Sequence, residues 1–147
     1  MKLIQRTTDT TLIKSILAQD SMYDGLVYDG SPSLQEFVPN VIDNVWFVLL
    51  EDRELAGLIT LEYLNYVLWT PHIFIFEKHR GGNSPKWAYL VAHYMREQCG
   101  AKKFLALTPY KAAKKYAEKV GFKYITTLSQ SIKKNNVLLN QYMLEME

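Results

Sequence analysis

The sequence predicts an α/β domain in which a mixed, mostly antiparallel sheet is flanked by helices. Two observations carry this prediction: three consecutive β-rich runs lie in the first half, and amphipathic helices alternate with strands in the second half. With 147 residues we expect one domain over residues 1–147, because two independent cores would each be very small. Apolar residues make up 48% and charged residues 22%, which is typical of a globular chain.

The first third of the chain predicts one strand and two helices. Leu3–Thr7 is a short strand, and Leu12–Leu17 has the apolar spacing of a helix after the capping oxygens of Thr8–Thr11. Asp20–Ser31 is polar and contains glycines, so we expect a loop. The capping box in Ser33–Glu36 predicts a short second helix before the next proline.

The middle of the chain predicts a β-meander. The three runs rich in β-branched and aromatic residues are Trp46–Leu50, Leu55–Leu64 and Tyr66–Phe76, the last interrupted by Pro71. Short connections between them favour antiparallel pairing.

The second half predicts two helices and three strands. Ser84 and Pro85 are a cap and a first helical residue, and Gly100 ends that helix. The remaining elements are a strand at Lys103–Leu107, a basic helix at Lys111–Val120, and a hairpin of Phe122–Ser131 with Val137–Glu145. The full order is β-α-α-β-β-β-α-β-α-β-β.

Composition and the lengths of the apolar runs exclude several kinds of site, partner and targeting segment. Cys99 is the only cysteine, so neither an internal disulfide nor a cysteine-based metal site can form, which suits a reducing cytoplasm and predicts no metal. A net charge of +2 is too small to indicate a nucleic-acid partner. The longest apolar run, Val45–Leu50, is far shorter than a membrane helix, and the segment Met1–Arg6 turns polar too early for a signal peptide.

A glycine-containing turn links the third β-run to the Ser84 helix. The turn consists of Arg80, Gly81, Gly82, Asn83 and Ser84. It combines a positive charge, glycines that let a ligand approach the backbone closely, and the start of a helix, and these three features together favour the binding of a phosphate. The alternative is an ordinary strand–helix turn that needs glycine for its backbone angles.

Two motifs in this order resemble the GNAT acetyltransferase superfamily. Ile75 to Ser84 resembles its pyrophosphate loop, and Tyr116 to Phe122 resembles its helix-end signature. The resemblance implies that acetyl-CoA binds with its pyrophosphate on Arg80–Ser84 and its pantetheine arm along Ile75 and Phe76. It also implies that Tyr110 stands where an asparagine often contacts the cofactor. The strands Tyr66–Phe76 and Lys103–Leu107 would then run parallel and splay apart.

Three side chains are candidates for chemistry. Amine acetylation needs a base, for which His72, on the strand before the loop, is the first choice and Glu62, on the preceding strand, the second. The alternatives are a hydrogen-bonded or exposed histidine and a solvated glutamate. Tyr116 lies one residue from Ala117, which occupies the position of the family's usual acid, and its alternative is a core aromatic.

Two charged regions bear on partners. Acidic residues around the predicted loop at Asp20–Ser31, including Asp24, Asp29 and Glu36, would favour a cationic amine unless they are simply solvated. The lysines of Lys111–Val120 have two interpretations: they form a face exposed to solvent, or they bind a nucleotide phosphate or an acidic partner.

Two functions therefore compete. The first is an N-acetyltransferase that moves an acetyl group from acetyl-CoA to an amine in the cytoplasm of a bacterial or phage-infected host cell. The second is a catalytically inactive protein of this fold that binds a protein partner, as a phage virion or head assembly factor would. Asn83, Pro85 and Ala117 depart from the family's usual motif residues, and these departures favour the second.

Overall fold

A computed structural model describes all 147 residues and contains one seven-stranded sheet with helices on both faces. The strands are β1 Lys2–Thr7, β2 Val45–Glu51, β3 Glu54–Tyr63, β4 Leu68–Ile75, β5 Lys103–Thr108, β6 Lys123–Lys134 and β7 Val137–Met146. The helices are α1 Thr10–Leu17, α2 Met22–Leu26, α3 Pro85–Cys99 and α4 Lys111–Val120, with a 3₁₀ turn at Glu77–His79. The predicted fold class is confirmed. None of the helices has the length and apolar character that a membrane crossing requires.

The sheet has the order β1-β2-β3-β4-β5-β7-β6, and every neighbouring pair is antiparallel except β4 and β5. β4 and β5 run parallel but pair only at Leu68–Lys103 and Trp69–Phe104. Beyond these two pairs the strands separate, which confirms the predicted splay.

Pro71 accounts for the point at which the strands separate. The Phe76 amide donates to Ala56 O across 2.8 Å, so the even-numbered residues of β4 bond to β3 and the odd-numbered ones face β5. Pro71 therefore faces β5, two residues after the last paired residue, Trp69. Because proline has no N–H, it cannot continue the ladder there.

Each face of the sheet carries its own core. One face is covered by α3 and α4, and its fully buried residues include Phe47, Trp87, Met95, Phe104 and Leu144. The other face is covered by α1, α2 and the segment that precedes β2, over Trp46, Leu58, Phe74 and Phe76. Because strand side chains alternate, His72 and Glu62 lie on this second face, in line with Phe74 and Leu58.

The second helix differs from the prediction. It lies at Met22–Leu26, inside the segment predicted as a loop, whereas Ser33–Glu36 forms only a turn. One of the two capping contacts forms, since the Glu36 amide donates to Ser33 Oγ. The Glu36 carboxylate accepts from the Ser33 hydroxyl instead of the Ser33 amide. Pro39 biases the residue before it toward an extended backbone, so the turn has no room to propagate.

Candidate functional site

The separated part of β4 presents backbone groups to an opening in the sheet. Ile73 and Ile75 direct their N–H and C=O groups away from β3, and β5 does not pair with them. The Ile75 carbonyl accepts from Arg80 Nε across 2.8 Å. The rest of this edge is therefore available to an extended ligand that bears amide groups.

Three consecutive amides stand free at the end of this opening. Gly81, Gly82 and Asn83 donate to no protein acceptor, and their residues are exposed. Both glycines have positive φ, 84° and 51°, which only glycine adopts readily. A run of free N–H groups of this kind, directly after an arginine in the chain, is an arrangement that favours an anion.

Ser84 does not cap the helix with its side chain, contrary to the prediction. Its backbone is already helical, its amide donates to Gly81 O across 3.1 Å, and its hydroxyl makes no capping bond. The turn at Gly81–Ser84 thus leads directly into α3, with Pro85 at the first helical position as predicted. Ser84 is buried and serves as the fixed base of the turn.

Tyr116 holds this turn from α4. Its hydroxyl donates to the Ser84 carbonyl across 3.0 Å, and burial raises the pKa of that hydroxyl. A second tyrosine links the same helices, because the Tyr89 hydroxyl donates to Lys119 O across 3.0 Å. In this arrangement the Tyr116 proton is directed at a carbonyl, so we expect Tyr116 to position the loop rather than act as an acid.

If the opening holds coenzyme A, as the resemblance to the GNAT superfamily implies, Tyr116→Phe should weaken its binding several-fold, because one hydrogen bond to the loop, worth about 1 kcal/mol, is lost. The turnover number and its pH dependence should stay close to wild type. Calorimetry with coenzyme A and steady-state kinetics separate the two effects. A hundredfold fall in turnover at unchanged affinity would instead assign Tyr116 the acid role.

His72 and Glu62 meet across β3 and β4. Thr60 pairs with His72 in the register, which places Glu62 diagonally opposite, and His72 Nε2 lies 3.1 Å from Glu62 Oε2. The hydrogen bond from His72 lowers the pKa of the Glu62 carboxyl, against the opposing effect of burial. Both side chains retain access to solvent, so the pair can receive a proton from a ligand on this face.

The hairpin β6–β7 reaches across to the segment after α2. Both Asp29 carboxylate oxygens accept from the turn, one from the Asn135 amide at 2.9 Å and the other from the Asn136 amide at 2.8 Å. Lys134 ion-pairs with Asp24, and its ammonium lies 5.7 Å from the centre of the Tyr110 ring. Burial lowers the pKa of Lys134, but Tyr110 and Asp24 outweigh it and leave the pKa raised.

The predicted site residues therefore fall into three groups. Ile75 and Arg80–Ser84 line the opening and its end, with Tyr116 beneath them. Phe76 does not, contrary to the prediction, because its amide donates to Ala56 O, its carbonyl accepts from the His79 amide, and its side chain is buried in the core on the α1/α2 face. His72 and Glu62 form one pair on the α1/α2 face. Tyr110 lies apart, at the start of α4, in contact with the hairpin. Sequence reasoning missed the contact between hairpin and α2 segment, for which the Asn135–Asn136 turn was the only signal.

Similar solved structures share this architecture. Spermidine N-acetyltransferase from Vibrio cholerae, in complex with CoA and spermine, superposes with a TM-score of 0.78 at 16% identity, over 99% of this chain and 94% of that chain. The chain has the GNAT fold. Ribosomal-protein-S5-alanine acetyltransferase from Vibrio fischeri gives a TM-score of 0.77 at 10% identity, over 99% and 92% of the two chains.

A third GNAT structure adds a second ligand complex. The ribosomal L7/L12 alpha-N-protein acetyltransferase RimL, in complex with coenzyme A, gives a TM-score of 0.78 at 13% identity, over 99% of this chain and 93% of that chain. No protein-family model and no curated protein sequence matches the chain. A phage origin and a role in head assembly stay predictions.

Proposed function

We propose that the chain is an N-acetyltransferase that moves an acetyl group from acetyl-CoA to an amine. The observation that carries the proposal is the set of free amides at Gly81, Gly82 and Asn83, at the end of an unpaired strand edge. An extended, amide-containing ligand with a terminal diphosphate fits this sequence of groups. Solved GNAT structures contain coenzyme A, which supports the assignment.

Different residues of the chain would bind the different parts of acetyl-CoA. Arg80 keeps Nη1 and Nη2 for a phosphate, since only Nε is bound to Ile75 O. The N–H and C=O groups of Ile73 and the N–H of Ile75 are placed to bond the amides of the arm. Acetyl-CoA supplies an activated thioester, and Tyr116 keeps the loop in position through Ser84.

His72 is the base in this proposal. The amine nitrogen takes the acetyl group, so that a C–N bond replaces the C–S bond, and His72 accepts the proton that the amine loses. Water returns a proton to the sulfur. Glu62, ionised because its pKa is lowered, holds the imidazole through Nε2 and stabilises the charge that His72 gains.

We expect Arg80→Ala to weaken coenzyme A binding by about 1–3 kcal/mol, the range for a hydrogen bond to a charged group. Titration calorimetry measures the change. Lys78→Ala is the matched control, because it removes a nearby positive charge whose ammonium is bound to Glu54 at 2.6 Å. Equal affinities for wild type and Arg80→Ala would place the phosphates elsewhere.

Saturable binding of acetyl-CoA is the decisive test of the proposal. A dissociation constant below the millimolar range, with thioester consumption when an amine is added, is the expected result. If wild type shows no saturable binding, the proposal fails and the inactive, partner-binding function becomes the better explanation.

A further inference from the structure

The small net charge of the chain conceals two halves of opposite charge. Residues 1–76 contain four Lys and Arg against ten Asp and Glu, a net charge of −6, whereas residues 77–147 contain thirteen against five, a net charge of +8. The boundary lies just after β4, so the first half supplies β1–β4, α1 and α2, and the second supplies α3, α4 and β5–β7. A molecule with this separation of charge attracts a surface of opposite sign at each end.

The negative charge is concentrated in the segment that packs on the α1/α2 face of the sheet. No Lys, Arg or His occurs between Lys14 and Arg53. We call the exposed carboxylates of this segment the acidic surface, and they are Asp20, Asp24, Asp29, Glu36 and Asp43. Only Asp24 is paired with a cation, Lys134 at 3.6 Å. The other four accept hydrogen bonds from neutral amides or hydroxyls, so they keep their full charge.

The positive charge forms a stripe along α4, on the opposite face of the sheet. Lys111, Lys115 and Lys119 recur every four residues, so neighbouring lysines are about 6 Å apart along the helix. All three are exposed, and none of them forms an ion pair. The only carboxylate of α4, Glu118, is already paired with Lys114 at 3.0 Å.

Helix α3 extends this stripe. The Tyr89 hydroxyl donates to Lys119 O across 3.0 Å, which places Tyr89 against the end of the stripe, and Tyr89 is 49% exposed. Lys86 lies one turn before Tyr89 on the same side of α3 and is exposed without an ion pair. We call Lys86, Tyr89 and the three lysines of the α4 stripe the basic surface.

The two surfaces complement each other. The acidic surface contains exposed aliphatic side chains, since Val38 and Ile42, 79% and 92% exposed, lie in the chain between Glu36 and Asp43. The basic surface offers the ring of Tyr89 beside its lysines. A long polyanion such as a nucleic acid fits less well, because beyond these few lysines it would meet the acidic half of the molecule.

We infer that the basic surface of one molecule binds the acidic surface of a second copy of this chain. Because the two surfaces differ and lie on opposite faces of the sheet, the contact is head to tail and can continue beyond a dimer. The exposed apolar side chains are too few for a permanent interface, so the association depends on charge and is weakened by salt. The inference is independent of the proposed function.

Sedimentation velocity of the full chain over a range of protein concentrations tests this inference. In about 20 mM salt we expect the average mass to rise above that of the monomer as the concentration increases. In about 500 mM salt the mass should return to that of the monomer, because the association constant falls at least about tenfold.

Two charge-reversal variants identify the surfaces. The double variants Lys115→Glu, Lys119→Glu and Glu36→Lys, Asp43→Lys should each be monomeric in low salt. An equimolar mixture of the two should associate again, because the reversed surfaces match each other. The control is Arg53→Glu, Lys102→Glu, which changes the net charge as much as the lysine variant does but lies outside both surfaces, and it should associate like wild type. Thermal unfolding near the wild-type midpoint shows that each variant is folded.

Several outcomes would overturn the inference. They are a wild type that stays monomeric in low salt, an association that salt strengthens, double variants that still associate, a mixture that stays monomeric, and a control variant that loses association. If the monomeric wild type instead binds a poly-glutamate peptide or an oligo-thymidine strand through the same lysines, the occupant is an acidic protein or a nucleic acid. Titration with coenzyme A is a separate measurement, so failure of the proposed function leaves this result unaffected.

Discussion

A Gly57→Ala variant is expected to lose about 3 kcal/mol of unfolding free energy, near the upper end for an overpacked buried position. A Cβ at Gly57 would lie 2.0 Å from Phe74 O and 2.9 Å from Ile75 Cα. Both are backbone atoms of β4, so no side-chain rotation can relieve the clash, and the strands must move apart. Chemical denaturation followed by circular dichroism measures the loss.

Gly25→Ala is the matched control for this change. Gly25 lies in α2, where an added Cβ meets no atom within 4 Å, so the variant should unfold near the wild-type midpoint or slightly above it. A Gly57→Ala protein with the wild-type midpoint would show that β3 and β4 can separate without cost.

The position of Gly57 also connects stability to the site. Gly57 pairs with Ile75, whose carbonyl holds Arg80 through Nε. Displacement of the end of β4 would therefore move Arg80 and the free amides that follow it. If the Gly57→Ala protein folds at low temperature, we expect its coenzyme A affinity to fall together with its stability.

The sequence predicted the second half of the fold most closely. The bounds of α4 are those predicted, and α3 begins and ends at the predicted proline and glycine, because Pro85 sits at the first helical position and Gly100 has the left-handed backbone of a helix end. These signals are local and each has one dominant structural outcome. The parallel pairing of β4 with β5 came from the resemblance rather than from local pattern.

Local signals failed where tertiary packing decides the structure. α2 has five residues, contains Gly25 and starts after Ser21 without a side-chain cap, so nothing in its sequence favours a helix. It forms because Met22 is buried against the core under α1. The stronger capping signal at Ser33–Glu36 produced a single turn.

The sequence predicted individual residues of the candidate site but not the contacts between them. His72 and Glu62 were chosen separately, and only the register of β3 with β4 shows that they form a pair. The neutralisation of Asp24 by Lys134 joins residues far apart in the chain, which no local pattern in a single sequence can reveal. The acidic segment was therefore recognised, but its contact with the hairpin was not.

The His72→Ala variant is expected to turn over an amine at least about a hundredfold more slowly than wild type, which corresponds to about 2.7 kcal/mol of transition-state stabilisation. Coenzyme A affinity should not fall in parallel, because His72 lies on the α1/α2 face and makes no contact with the Arg80–Ser84 turn. Single-turnover kinetics and calorimetry measure the two quantities separately. Wild-type turnover across the pH range would exclude His72 and move the role to Glu62 or to water.

The Glu62→Gln variant tests whether the catalytic base is His72 or Glu62. The glutamine amide can still contact His72 Nε2 but carries no charge. If Glu62 only orients and stabilises the imidazole, we expect about a tenfold loss of turnover. If Glu62 takes the proton, the loss should be as large as that of His72→Ala.

The pH dependence of turnover supplies a second criterion. Because the pKa of Glu62 is lowered in the folded protein, its carboxylate stays ionised down through its ordinary titration range. The stabilisation of the pair is fully present above that range and is lost as pH falls through the lowered value. In Glu62→Gln this acid-side loss should be absent, because the amide does not titrate.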